Sequence, residues 1–155
     1  MIKIFEKDLT INSTIRTSSL AKYYTIVNNE DDIREAVEFK NKNKIDIKIL
    51  GNGSNILFSK SYYDKTLFLK LGDSYKYFNL NDDFVEMGSS FSLIQAGRIL
   101  INNGYNKFIF FNLIPATVGG AVRQNAGTGY GEEMKDVCIY SKLYDMVENK
   151  SIEMN

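Results

Sequence analysis

Between Leu113 and Gly131 the chain is dominated by small and polar residues. It reads Leu113-Ile114-Pro115-Ala116-Thr117-Val118-Gly119-Gly120-Ala121-Val122-Arg123-Gln124-Asn125-Ala126-Gly127, then Thr128-Gly129-Tyr130-Gly131. A segment so poor in bulky side chains cannot anchor a core of its own and has to lie close against something else. Two readings follow from the residues. Either it is an irregular glycine-rich connection packed on a neighbouring helix, or it lines a flat, extended ligand that accepts hydrogen bonds from its hydroxyl and amide groups.

A second glycine cluster stands earlier. Ile45-Asp46-Ile47-Lys48-Ile49-Leu50 reads as a strand running into Gly51-Asn52-Gly53-Ser54-Asn55, after which Ile56-Leu57-Phe58 is apolar again. Two glycines permit positive φ and close approach of a ligand. Successive amides in such a turn can form an anion-binding concavity, with Ser54 and Asn55 adding side-chain donors. The cluster is neither a Rossmann fingerprint nor a P-loop, because no third glycine, no Gly-Lys-Ser/Thr and no helix pattern follows. A bare tight turn between strands explains it equally well when it is taken alone.

Composition removes several classes of function. Lys plus Arg and Asp plus Glu each number 19, so the formal net charge is zero and no nucleic-acid partner is expected. Histidine is absent and Cys138 is the single cysteine. Ser-His and Cys-His catalysis, His-ligated metals, multi-cysteine metal sites and an internal disulfide are thereby excluded. Met1–Glu6 is too short and too charged for a signal peptide, and no apolar run approaches the ~20 residues that span a bilayer. A cytoplasmic protein without a membrane partner is the expectation.

Helices are predicted over Glu30–Lys42, capped by Asn28 or Asn29, and from Ser89 or Ser90 to Asn102-Asn103-Gly104. Ile33, Ala36, Val37 and Lys40 form the stripe of the first; Leu93, Ile94, Ala96, Leu100 and Ile101 form that of the second. Strands are predicted over Lys22–Val27, Ile45–Leu50, Thr66–Leu69, Phe84–Met87 and Val137–Tyr144, with Cys138 a small buried hydrophobe in the last. A closing hairpin turns at Glu148-Asn149-Lys150. Asp31/Asp32 and Asp82/Asp83 read as helix-start and turn residues. Helices fall among strands, so the class is mixed α and β, with lobes over residues 1–70 and 71–155.

Taken together, these segments resemble the FAD-binding part of the UDP-N-acetylenolpyruvoylglucosamine reductases, also called UDP-N-acetylmuramate dehydrogenases. Gly51–Leu57 meets that family's Gly-x-Gly-Ser-Asn-hydrophobic-Leu pattern. Ile114–Gly127 meets its Ile-Pro-Gly-Thr-Val-Gly-Gly-Ala-Val-x-x-Asn-Ala-Gly pattern, with Ala116 in place of a glycine. Asn12–Thr17, Met87-Gly88-Ser89-Ser90 and Glu133–Val137 resemble further family segments, and Ser18-Ser19 stand where the family has Gly-Gly. The resemblance implies a two-lobed α+β FAD-binding fold of the vanillyl-alcohol oxidase type, with mixed sheets and flanking helices. It implies cofactor contacts at Gly51, Asn52, Gly53, Ser54, Asn55 and Ile56, where the pyrophosphate is held. The flavin side is implied at Ile114, Pro115, Ala116, Thr117, Gly119, Gly120, Gln124, Asn125 and Gly127. It also implies NADPH as hydride donor, a UDP-sugar substrate and a role in peptidoglycan precursor synthesis.

The family's Tyr-Arg-x-Ser segment, serine proton donor and late glutamate have no counterpart among these residues, so no catalytic residue is assigned. Arg123 is no match for the catalytic arginine. Two function classes stay open. One is a flavin oxidoreductase that relies on a second chain for its substrate domain and proton donor; the other is a module that holds FAD or a nucleotide-sugar without turnover.

Overall fold

The computed structural model describes every residue from Met1 to Asn155. It divides into two compact units, Met1–Gly72 with Tyr144–Ser151, and Asp73–Leu143 with Ile152–Asn155. The expected α+β class is observed, with three sheets and interspersed helices.

The first unit is built on a four-stranded sheet. β1 (Phe5–Asp8) and β2 (Leu20–Val27) pair antiparallel; after α1 (Glu30–Asn43) come β3 (Asp46–Leu50) and β4 (Tyr62–Leu71). β4 lies between β2 and β3 and is parallel to both, giving the order β1-β2-β4-β3. Central position explains the unbroken buried run Thr66-Leu67-Phe68-Leu69, since a strand covered on both faces needs no polar side. One face carries Leu9, Ala21, Tyr24, Leu50, Phe58 and Phe68. Against the sheet α1 buries Ile33, Ala36 and Val37. Its cap is Asn29, whose side chain accepts from the Asp32 amide, and it ends at Lys44 in the left-handed conformation (φ 52°).

In the second unit β5 (Phe78–Leu80) and β6 (Val85–Met87) form a hairpin, followed by α2 (Leu93–Asn102). Next come a 3-10 segment (Asn106–Leu113), α3 (Val118–Gln124) and a 3-10 turn (Met134–Asp136). Leu93, Ala96, Leu100, Phe110, Phe111, Val118, Ala121 and Met134 make its core. Gly97 lets α2 and the 3-10 segment approach closely, because a Cβ there would sit 2.8 Å from Phe111 Cβ. The final hairpin, β7 (Ser141–Asp145) and β8 (Lys150–Met154), turns at Asn149 with φ 56°.

Several expectations need correction. α2 starts at Leu93, not at Ser89 or Ser90: the Ser90 amide goes to the Tyr75 carbonyl, and Ser92 is the cap. The strand predicted over Val137–Tyr144 begins only at Ser141, because Met134–Asp136 is wound into a turn closed by a Glu133/Asp136 capping box. Cys138 is accordingly half-buried outside any strand, with Sγ 3.5 Å from Ser141 Oγ. The glycine-rich segment is not wholly irregular, since its middle forms α3.

Candidate functional site

The loop after β3 is held at both ends by the core: Leu50 is buried at its start, and Phe58 is buried at its far end, edge-on to Phe68 at 5.8 Å. Between them Gly53 adopts φ +73°. A Cβ at Gly53 would lie 1.8 Å from the Asn12 carbonyl oxygen, so this glycine is demanded by the chain's own opening segment. That segment runs along the loop and fastens it. The Thr14 amide donates to the Gly53 carbonyl (3.2 Å), Thr17 Oγ1 to the Phe58 carbonyl (3.2 Å) and Ser19 Oγ to the Lys60 carbonyl (2.9 Å). Ser19 is buried and uses its hydroxyl here, which gives the serine at a family glycine position a structural role.

While the carbonyl side of the loop is fastened, its amides have no partner in the chain. No hydrogen bond within the chain engages the backbone amides of Asn52, Gly53, Ser54 or Asn55. Unpaired amides in succession around a left-handed glycine are the donor set of an anion-binding nest. Beside them Asn12 Oδ1 is buried without a donor. A diphosphate with hydroxylated sugar attached supplies acceptors to the amides and a donor to Asn12, so the first loop fits that part of FAD.

The second segment behaves differently. Thr117 caps α3 by accepting from the Gly120 amide. The Val118 amide donates to the Phe91 carbonyl, Gly119 to Ser89 (2.8 Å) and Ala121 to Thr117. The first-turn amides of α3 are therefore spent inside the protein, and this turn is no anion cradle. Its two glycines separate cleanly. A Cβ at Gly119 would press on Ser89 Cβ at 2.9 Å, whereas one at Gly120 would meet only Thr117 Oγ1 at 3.2 Å. Packing explains Gly119; Gly120 leaves a bare backbone face, suited to a flat ligand. Ala116 takes no positive φ, so replacing a glycine there costs no strain. Pro115, Gln124 and Gly127 are exposed, while Ile114 is half-buried against the core.

Asn125 ends α3 in the left-handed conformation (φ 46°), and its side chain is already engaged. Nδ2 donates to Glu133 Oε2 (2.8 Å) and Oδ1 accepts from the Lys135 amide (2.9 Å). Lys135 Nζ completes the network at 2.6 Å from Glu133 Oε2. Hydrogen bonds from Lys135 and Asn125, with the lysine charge, hold the Glu133 carboxyl below its usual 4.5; the same partner raises Lys135 above 10.5. Glu133 thus supports the fold above its ordinary value, and this support fades as pH falls through its lowered value. Lys135 contributes below its ordinary value and fades at alkaline pH as its raised value is passed. Accordingly, Glu133→Gln should lower the neutral plateau of the melting temperature slightly and flatten its acid limb by the same small amount, so that the two curves converge at low pH; the effect is small because the pair is solvent-exposed. An unaltered acid limb would remove Glu133 from that role.

Sequence reasoning missed Ser89, Glu133 and Lys135 as supports of the second segment, and the fastening role of Asn12 and Thr14. Their signals were present only as family-like segments. The Asp82/Asp83 turn and the end of α2 frame a shallow cleft lined by Leu80, Phe84, Tyr105 and Phe108, which includes no residue of either glycine segment. No group of three or more acidic or cysteine side chains could hold a metal, and no helix is long and apolar enough to cross a membrane.

The structure is an α+β domain with a glycine loop whose successive amides have no partner in the chain. Residues 21–148 match the FAD binding domain family, and the chain belongs to that family. It is 34% identical over 141 residues to the UDP-N-acetylenolpyruvoylglucosamine reductase of Francisella tularensis, covering 91% of this chain and 48% of that protein. Against the enzyme of the same name from Clostridioides difficile it is 33% identical over 120 residues, covering 77% and 39%. Its fold is similar to the crystal structure of UDP-N-acetylenolpyruvylglucosamine reductase from Thermus caldophilus. The TM-score is 0.82 at 22% identity, over 99% of this chain and 53% of that one. The chain spans about half the length of these relatives.

Proposed function

We propose that this chain is the FAD-holding part of a UDP-N-acetylenolpyruvoylglucosamine reductase-type oxidoreductase, acting in the cytoplasm on a UDP-sugar enolpyruvyl ether with NADPH as hydride donor. The single observation that carries the reading is the run of unpaired amides from Asn52 to Asn55 around left-handed Gly53. Bound FAD supplies hydride transfer from the nicotinamide to the enolpyruvyl double bond. The residues of this chain hold and orient it. Gly51–Asn55 take the pyrophosphate through backbone amides, Ser54 and Asn55 add side-chain donors, and Ile56 packs beside them.

On the flavin side, Ile114–Thr117 and Gly119–Gly120 present small or apolar backbone, and Gln124 brings a free amide. Asn125 and Gly127 act chiefly by fixing the end of α3 through Glu133. Substrate binding and the protonating acid belong, in this reading, to polypeptide outside these residues, in the same protein or a second chain. Support comes from the half-length correspondence with the relatives.

The flavin-free chain is titrated with FAD and its melting temperature followed. At a hundredfold excess over Kd, binding contributes about 2.7 kcal/mol, which raises the melting temperature of a domain this size by roughly 5–10 °C. Anaerobic NADPH should then bleach the bound flavin. No shift with FAD refutes the cofactor assignment; a shift without bleaching leaves a holding module in place of a reductase.

A further inference from the structure

The fastened loop offers donors but no charge: Gly51 to Asn55 contains no cation, while a dinucleotide diphosphate carries two negative charges. A cation near the loop is therefore the missing part of the site as described. Lys60 lies over the Tyr63 ring at 6.0 Å. Arg16 is differently disposed. It is exposed, and no carboxylate of the chain lies within ion-pair distance of it.

Its backbone is also unusual. The left-handed non-glycine residues are Arg16, Lys44, Asn125 and Asn149. Lys44 and Asn125 terminate helices and Asn149 turns a hairpin, each a standard use of that conformation. Arg16 does neither. It closes a turn in which its amide donates to the Ser13 carbonyl (3.2 Å), two residues beyond the Thr14 amide that grips Gly53. An arginine held at φ 55° costs conformational energy that glycine would avoid. The turn keeps an unpaired guanidinium on a strained backbone, two residues along the chain from the Thr14 anchor of a loop that has no cation of its own.

We propose that Arg16 is the charge-bearing ligand of this site: its guanidinium pairs with the diphosphate held on the Asn52–Asn55 amides. The proposal rests on the FAD reading above and deepens it. A guanidinium matches two phosphate oxygens in a fork geometry that an ammonium cannot reproduce, and it stays charged at every working pH. The opening segment thereby has two tasks, fastening the loop through Thr14 and neutralising its ligand through Arg16.

The test compares wild type, Arg16→Gln, Arg16→Lys and Arg16→Gly in equilibrium titrations with FAD, ADP and riboflavin. Removing the charge should weaken FAD and ADP by on the order of tenfold, the scale of one charge-assisted pair. Riboflavin, which has no phosphate, should bind all variants alike. Lysine should recover part of the affinity and show a steeper loss with salt than glutamine. Arg16→Gly separates charge from backbone, because it should lose phosphate affinity as glutamine does while melting no lower than wild type. Equal FAD affinity in wild type and Arg16→Gln overturns the assignment while leaving the FAD reading intact. So does a parallel loss of riboflavin, which would mark a collapsed loop. A wild-type chain that binds no FAD overturns both.

Discussion

Gly53→Val is expected to cost the chain about 3–5 kcal/mol of stability, from left-handed strain on a β-branched residue plus overpacking against backbone. The added Cβ would sit 1.8 Å from the Asn12 carbonyl oxygen and 3.0 Å from Ser13 Cα, neither of which can rotate away. The opening segment must then lift from the loop, releasing the Thr14–Gly53 hydrogen bond. Urea unfolding measures the loss. Gly129→Val is the control: Gly129 has φ +79° and nothing within 4 Å of its Cβ position, so only the conformational part of the cost remains. Equal losses at the two positions would show that contact with Asn12 contributes nothing. Gly53 thus lacks a side chain because Asn12 and Ser13 leave no room for one, while its amide stays unpaired.

Gly120→Ala should separate stability from ligand binding in the opposite way. The new methyl meets only Thr117 Oγ1 at 3.2 Å, and α3 gains the helical preference of alanine over glycine. That preference, about 0.5–1 kcal/mol, offsets a small displacement of the hydroxyl, so the unfolding midpoint should hold or rise. FAD affinity should nevertheless fall at least tenfold in the same protein, because the methyl occupies the face on which the flavin is proposed to lie. A titration of the flavin-free variant decides it. Undiminished FAD affinity would take Gly120 out of the site and leave its lack of a side chain without explanation.

How much of this was legible in the sequence depended on range. Local signals were legible: a cap at Asn28 or Asn29, of which Asn29 serves, the Asn102–Gly104 stop, the strand entering Gly51 and the turn at Glu148-Asn149-Lys150 all follow from short-range chemistry. The α+β class followed from their order. Where several local choices were equally good, tertiary partners decided. Ser89, Ser90 and Ser92 could each cap α2, and the Gly119 and Tyr75 contacts of the first two left Ser92 the task.

α3 was hidden because Val118-Gly119-Gly120-Ala121-Val122 has low helical propensity. Burial of Val118 and Ala121 in the core, with a Thr117 cap, outweighs it. The short strands β1 and β5 gave too little pattern to recognise. For the site, glycine composition correctly signalled close approach but not its object. Gly53 faces Asn12 and Gly119 faces Ser89, while Gly120 faces no protein neighbour other than the Thr117 hydroxyl. Such partners lie dozens of residues away along the chain, and no spacing rule connects them.

In the proposed function, the amides of Asn52, Gly53, Ser54 and Asn55 are kept free of protein acceptors in order to receive the diphosphate of FAD. Amide hydrogen exchange on the flavin-free and FAD-saturated chain tests this directly. Without ligand, those amides should exchange far faster than those of Val118, Gly119 and Ala121, which already have acceptors. With FAD, protection should appear at Asn52–Asn55 while α3 changes little. Binding of FAD with no gain of protection at Asn52–Asn55 would contradict the claim.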